Sequence, residues 1–182
     1  MEMKDWINSI EVIDDFFEES TRNEVFTRLK RPKWSLEGGT IDNRFWHMNE
    51  LEYDEYFSCY LFSKISQKLG DRIKNYCVSR IYANGQTAGQ CGSAHPDDGD
   101  LTFLYYPNPE WNYEWQGHLI FLDPDKNPRE TKNYEPEKIV GYKSNRAVIF
   151  PAKIFHHADA PSRYFNGLRI SLAYKFKELR YD

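Results

Sequence analysis

With 182 residues and a formal net charge of -4, the chain is long enough for one domain with a proper core. It lacks the excess of positive charge that follows phosphates, which argues against nucleic acid or an anionic membrane as a partner. No apolar run approaches membrane-spanning length.

Tyr, Phe and Trp make up 16% of residues, so much of the buried area is expected to be aromatic. The first twenty residues carry neither a basic n-region nor an apolar h-region, so no secretion signal is expected. Cys59, Cys77 and Cys91 are odd in number, irregularly spaced and match no zinc pattern. They suggest reduced thiols and a cytoplasmic location.

Along the chain, residues 10–17 read as a short strand ending in an acidic corner. Thr21 with Glu24 three residues on is a capping-box signature, opening a helix that buries Val25, Phe26 and Leu29 and stops at Pro32. Residues 34–50, with Gly38 and Gly39 in the middle, read as irregular. A second helix is expected over 53–69, where Phe57, Leu61, Ile65 and Leu69 recur every four residues and Gly70 follows as a stop.

From Tyr76 the pattern changes to strands, at 76–83, 101–106, 117–122, 138–142, 146–150, 155–159 and 168–176. The links between them are too short for crossover helices, so antiparallel pairing in a sandwich or barrel is expected. The polar stretch 123–137 carries three prolines and reads as a lid, a binding loop or a solvated excursion.

His95 and Asp97 lie two apart in Gly92-Ser-Ala-His-Pro-Asp-Asp-Gly99. In an extended segment both side chains share one face, so they can occupy neighbouring corners of a metal ion. The same residues also suit a turn. Joined by a histidine from a distant strand, the pair would form the two-His-one-carboxylate set, whose open positions suit non-haem Fe(II).

Downstream, Ala147-Val-Ile-Phe-Pro151 leads to His156-His157, and Arg169-Ile-Ser171 follows. In that order these residues resemble the Fe(II)/2-oxoglutarate-dependent dioxygenase superfamily, and within it the prolyl 4-hydroxylase-like branch. Tyr82-Ala-Asn-Gly85 resembles that branch's Tyr-x-x-Gly strand end. Leu104-Tyr-Tyr-Pro-Asn108 with Trp111, and Gln116-Gly-His-Leu119, resemble two further stretches. The similarity runs from Val78 to Phe176. Pro107 and His118 depart from the branch pattern, as does Arg169, where the branch often carries Lys; His118 is read as structural.

The fold this resemblance implies is mainly β, a cupin-like double-stranded β-helix or jelly roll, with N-terminal helices packed on one sheet. It implies a single domain over 1–182, with a helical support region at 1–75 and the β core at 76–176. The implied iron ligands are His95, Asp97 and His156. Family spacing favours His156 over its neighbour His157, and only one of two adjacent strand residues can face the metal.

Arg169 is implied to hold the far carboxylate of 2-oxoglutarate, helped by Tyr106 and Ser171, with Tyr82 lining the pocket. Arg suits that position because its planar fork matches a carboxylate. The implied reaction hydroxylates an unactivated C–H, with succinate and CO2 as co-products and ascorbate as reductant. A carboxylate at Asp97, where halogenating relatives carry a small residue, points to hydroxylation. The expected substrate is a prolyl residue in a peptide or protein; a free amino acid or other small metabolite is the alternative.

An AlkB-type nucleic-acid demethylase is disfavoured, since Arg169-Ile-Ser-Leu-Ala-Tyr-Lys175 departs from that group's Arg-x-Asn-x-Thr-x-Arg. A non-catalytic metal-binding jelly roll is disfavoured by the ligand set occurring together with Arg169. A zinc hydrolase is disfavoured by the lack of a His-Glu-x-x-His helix.

Overall fold

Alternation of side chains between two faces organises the strands of this molecule. The computed structural model describes residues 5–40, 43–125 and 135–180. In chain order its elements are α1 (Asp5–Asn8), β1 (Glu11–Ile13), α2 (Glu19–Leu29), β2 (Ser35–Thr40), β3 (Asn43–Met48), α3 (Phe62–Leu69), β4 (Tyr76–Gln86) and β5 (Leu101–Tyr105). They are followed by β6 (Leu119–Phe121), β7 (Lys138–Val140), β8 (Ala147–Pro151), β9 (His156–Ala158) and β10 (Arg169–Glu178).

Seven strands form a large sheet in the order β1-β8-β5-β10-β4-β3-β2, and three form a small one, β7-β6-β9. Every pairing is antiparallel. With its helices, this is the double-stranded β-helix the sequence led us to expect.

β10 shows how period two divides the core. Its Ile170, Leu172, Tyr174 and Phe176 join Phe103 and Tyr105 of β5 in packing against Val25 and Leu29 of α2 and Ile65 and Leu69 of α3. On its other face Ala173 meets Tyr82, Leu104, Tyr106, Leu119, Phe121 and Phe150 between the two sheets. Arg169, Ser171 and Lys175 line the cavity on that inner side.

Three local expectations need correction. Residues 34–50 are not irregular: β2 and β3 form a hairpin, and β3 adds to β4 with Trp46 opposite Gly85 and Met48 opposite Ala83. The glycines that obscured it fall at a register irregularity between Glu37 and Thr40, where a bulge interrupts the alternation. The capping box is not used, because α2 starts at Glu19 with Glu18 as its N-cap. Thr21 is instead buried inside the helix, and Glu24 pairs with Arg28 at 2.9 Å.

The expected helix over 53–69 is divided into a 3-10 turn at Leu51–Tyr53, a π-helical stretch at Tyr56–Leu61 and then α3. Phe57, Leu61, Ile65 and Leu69 stay buried throughout, and Gly70 ends the run with φ +52°. No helix among the described residues is long and apolar enough to cross a membrane. Residues 126–134 of the expected lid or binding loop lie outside the described residues.

Asn145 ties the β core to the start of the helical layer. Its Oδ1 accepts from the Phe17 N–H at 3.0 Å and from the Tyr105 hydroxyl at 2.8 Å, while Nδ2 donates to Phe17 O at 2.7 Å. The residue is buried and has φ +61°, a conformation Asn tolerates better than most. Replacing it by Ala removes three hydrogen bonds at ~1 kcal/mol each and leaves their partners buried. We therefore expect Asn145→Ala to lose about 3 kcal/mol in urea unfolding.

Candidate metal and cosubstrate site

The link from β4 to β5 runs back across the small sheet. His95 N–H donates to His156 O at 3.1 Å, and His156 N–H donates to His95 O at 3.0 Å. This antiparallel bridge makes the two histidines directly opposed partners, with their side chains on one face. Asp97 N–H then donates to Ala152 O at 2.8 Å, holding the segment one pleat further on. The turn that follows depends on Gly99, at φ +110°, where a Cβ would lie 2.7 Å from Phe176 O.

His95, Asp97 and His156 thereby bring three ligand atoms within 4.8 Å of one another. His95 Nε2 lies 3.7 Å from Asp97 Oδ1, and His156 Nε2 lies 3.4 Å from Asp97 Oδ2. Each imidazole is oriented through its other nitrogen: His95 Nδ1 meets Ser93 O at 2.7 Å and His156 Nδ1 meets Ile154 O at 2.8 Å. A carbonyl only accepts, so Nδ1 carries the proton and the Nε2 lone pair is left for a metal. His157 faces the other way, opposite Ile120, and is outside the group.

Burial drives the His156 pKa down to about 4; Asp97 opposes this and Lys175 adds to it, so the ring is neutral near pH 7. Burial pushes Asp97 upward, but the charges of Lys175 and His156 and the hydrogen bonds from Lys175 and Thr102 hold it below the usual carboxylate range. Both donor types are thus in the state a divalent cation requires. Among the three, only His95 is open to solvent, with 45% of its side chain exposed against 4% for Asp97 and 6% for His156.

Further along the cavity stands Arg169, 1% exposed. Its Nε donates to Gly117 O at 2.8 Å and Nη1 donates to Gln86 Oε1 at 2.9 Å. Gly117, at φ +72°, permits this approach, because a Cβ there would lie 2.9 Å from the Arg169 side chain. The guanidinium also lies over the rings of Tyr142, at 4.8 Å, and Tyr106, at 5.5 Å. Among the described residues, the buried Tyr106 hydroxyl meets no hydrogen-bond partner of good geometry, and the Arg169 guanidinium lies close by.

Among the described residues, this guanidinium donates its hydrogen bonds to neutral oxygens. A fully buried cation without an anion is costly, so Arg169 beside an unsatisfied hydroxyl fits a carboxylate ligand. Ser171 and Tyr82 line the same cavity, as expected. His118 lies outside it, its Nδ1 buried without a hydrogen-bond partner among the described residues. Cys59, Cys77 and Cys91 are exposed and outside any disulfide.

Sequence reasoning missed Lys175, Thr102 and Gln86. The Lys175 ammonium, 1% exposed, is in direct contact with Asp97 Oδ2 and donates to Thr102 Oγ1 at 3.2 Å. Thr102 Oγ1 in turn donates to Asp97 Oδ2 at 2.7 Å. The signal was available: counting by twos from Arg169 and Ser171 places Lys175 on the same inner face.

Residues 79–176, more than half of the chain, match the family described as the 2OG-Fe(II) oxygenase superfamily. The chain belongs to that superfamily, and with its His95, Asp97 and His156 cluster it is an Fe(II)- and 2-oxoglutarate-dependent enzyme. No curated protein matches the sequence.

Solved structures share the fold at low identity. HygX from Streptomyces hygroscopicus, solved with nickel and 2-oxoglutarate bound, aligns with TM-score 0.72 at 11% identity over 100% of this chain and 89% of its own. SnoN, a non-haem α-ketoglutarate-dependent epimerase of nogalamycin biosynthesis, gives TM-score 0.70 at 12% identity, covering 93% and 78%. A Pseudomonas putida prolyl-4-hydroxylase gives 0.63 at 15% identity, covering 93% and 92%. Relatives of such different activity do not single out the prolyl hydroxylase branch.

The opposed faces of the two neighbouring histidines lead to a direct expectation. In calorimetric titration with Mn(II), His156→Gln should weaken binding by roughly 100-fold or more, a loss larger than that of an outer-shell partner. His157→Gln should stay within about threefold of the wild type, and the reverse order would exchange their roles.

Proposed function

We propose that the enzyme hydroxylates an unactivated C–H of a prolyl residue in a peptide or protein, with His95, Asp97 and His156 as its iron ligands. The observation that carries the site assignment is a buried Arg169 whose hydrogen bonds, among the described residues, go to neutral oxygens, in the same cavity as the three converging ligand atoms. When bound, Fe(II) and 2-oxoglutarate supply the oxidising power through decarboxylation to succinate and CO2.

The chain's own residues bind, orient and shield. His95, Asp97 and His156 would hold the metal, a two-His-one-carboxylate set whose open positions suit non-haem iron chemistry. Arg169 takes the far carboxylate, Tyr106 donates its unsatisfied hydroxyl to it, and Ser171 can donate from two residues along β10. These donors fix how far the dicarboxylate reaches toward the ligands. Tyr82, Leu104 and Leu119 keep water from the interior side.

The substrate would approach from the side of His95. There a groove of about 230 Å³ is lined by Phe45, Tyr82 and Pro96 together with His47, Arg80 and Asp98. Aromatic walls beside an open groove suit a prolyl ring carried on a peptide, and the Tyr-x-x-Gly and Leu-Tyr-Tyr-Pro-Asn stretches support the same reading.

A free amino acid is the second reading. The Arg80–Asp98 pair, 3.0 Å apart beside the groove, offers the two opposite charges a zwitterion would meet. Either reading treats the chain as one domain working in the cytoplasm, with ascorbate as reductant.

Succinate formation tests the proposal. Asp97→Ala should abolish it, and unchanged turnover would end the iron assignment. Arg169→Ala should raise the KM for 2-oxoglutarate by roughly 10- to 100-fold, the equivalent of about 1.5–3 kcal/mol for a charge-assisted contact. A panel of prolyl peptides against free proline and other amino acids decides the substrate: hydroxylation confined to free amino acids would overturn the peptide reading.

A further inference from the structure

We propose that Gln86 is a positioning residue that sets which length of 2-oxo dicarboxylate the enzyme accepts, by fixing the Arg169 guanidinium without neutralising it; this rests on the reading of Arg169 as the seat of the far carboxylate. Gln86 ends β4 and stands directly opposite Arg169, the first residue of β10. Opposed residues of an antiparallel pair lie close enough for long side chains to meet. Gln86 is 2% exposed and Arg169 1%, and both line the cavity that holds His95, Asp97 and His156.

The amide of Gln86 has one orientation open to it. Nε2 donates to Gln90 O at 2.9 Å, and Oε1 accepts from Arg169 Nη1 at 2.9 Å. A carbonyl only accepts and a guanidinium only donates, so turning the amide over would set like against like at both ends. Gln90 is held in turn. Its Oε1 accepts from the Thr87 N–H at 2.8 Å and the Thr87 hydroxyl at 3.0 Å, and its own N–H donates to Thr87 O at 3.1 Å. The grip on Arg169 is thus rooted in the turn that follows β4.

Arg carries its planar fork on a flexible stem, so the reach of the guanidinium is defined by what holds it. Gly117 O alone would leave the plane free to swing about Nε; the second contact, to Nη1, fixes it. Gln86 is also neutral. A carboxylate could grip the same nitrogen, but it would meet the positive charge inside the protein and oppose an incoming anion. The separation between the fork and the converging ligand atoms therefore becomes a property of the fold, and it suits one spacing between the two ends of a dicarboxylate.

The test measures binding of 2-oxoglutarate, and of 2-oxoadipate with its one extra methylene, by calorimetry on the Mn(II)-loaded protein. The wild type should prefer 2-oxoglutarate by at least about tenfold, the lower end of what one methylene is worth in a fitted pocket. Gln86→Leu removes the grip and leaves the charge of the cavity unchanged. Its preference should fall to roughly threefold or less, while Mn(II) affinity without either acid stays within about threefold of the wild type. Gln86→Glu should bind both acids at least about tenfold more weakly, because the added carboxylate repels them.

A merely structural glutamine would weaken both acids in equal proportion and leave their ratio alone. An unchanged preference in Gln86→Leu, or unchanged affinities in Gln86→Glu, overturns the proposal. Should Gln86→Leu not fold, Gln86→Met is held to the same outcome, and a wild type that binds the two acids equally overturns the proposal without any variant. Failure of the Mn(II)-loaded wild type to bind either acid instead overturns the reading of Arg169 itself.

Discussion

The site depends on one short backbone contact, the pair of hydrogen bonds that locks His95 to His156. Sixty residues of chain lie between them, and the backbone bridge is what brings the two imidazoles together. The bridge does two things at once. It places both rings on one face of the small sheet, and it sets the register from which Asp97 reaches the same point one pleat later. A slip by a single residue would turn His95 away and present its neighbours instead.

The rest of the fold supports that contact from behind. The large sheet takes its helices on one face and leaves the other for the cavity, so β10 can pack Ile170, Leu172, Tyr174 and Phe176 outward while Arg169, Ser171 and Lys175 point in. The two charged residues are tolerable in that position because each is surrounded by acceptors. Gly117 O and Gln86 serve Arg169, and Asp97 and Thr102 serve Lys175. The positive φ at Gly117 and Gly99 belongs to the same construction, allowing backbone to come where a side chain would have filled the space.

Much of this was legible from residue order because the strands alternate cleanly. β4, β5, β8 and β10 declare their faces by period two, and the His-x-Asp pair declares its own. The hairpin β2–β3 escaped because its two glycines carry no side chain to mark a face and because a bulge breaks the count. The start of α2 escaped because Thr21 was read by its capping chemistry when its burial decides its role. Lys175 escaped for a third reason: a lysine near the end of a strand reads as a solvated charge until the carboxylate that neutralises it is placed from another part of the chain.

The unequal exposure of the three clustered groups has a geometric outcome. Asp97 and His156 are sealed from solvent and only His95 looks outward, so the cluster opens to solvent on the side of that histidine. Whatever enters meets that imidazole first and the two sealed groups only afterwards.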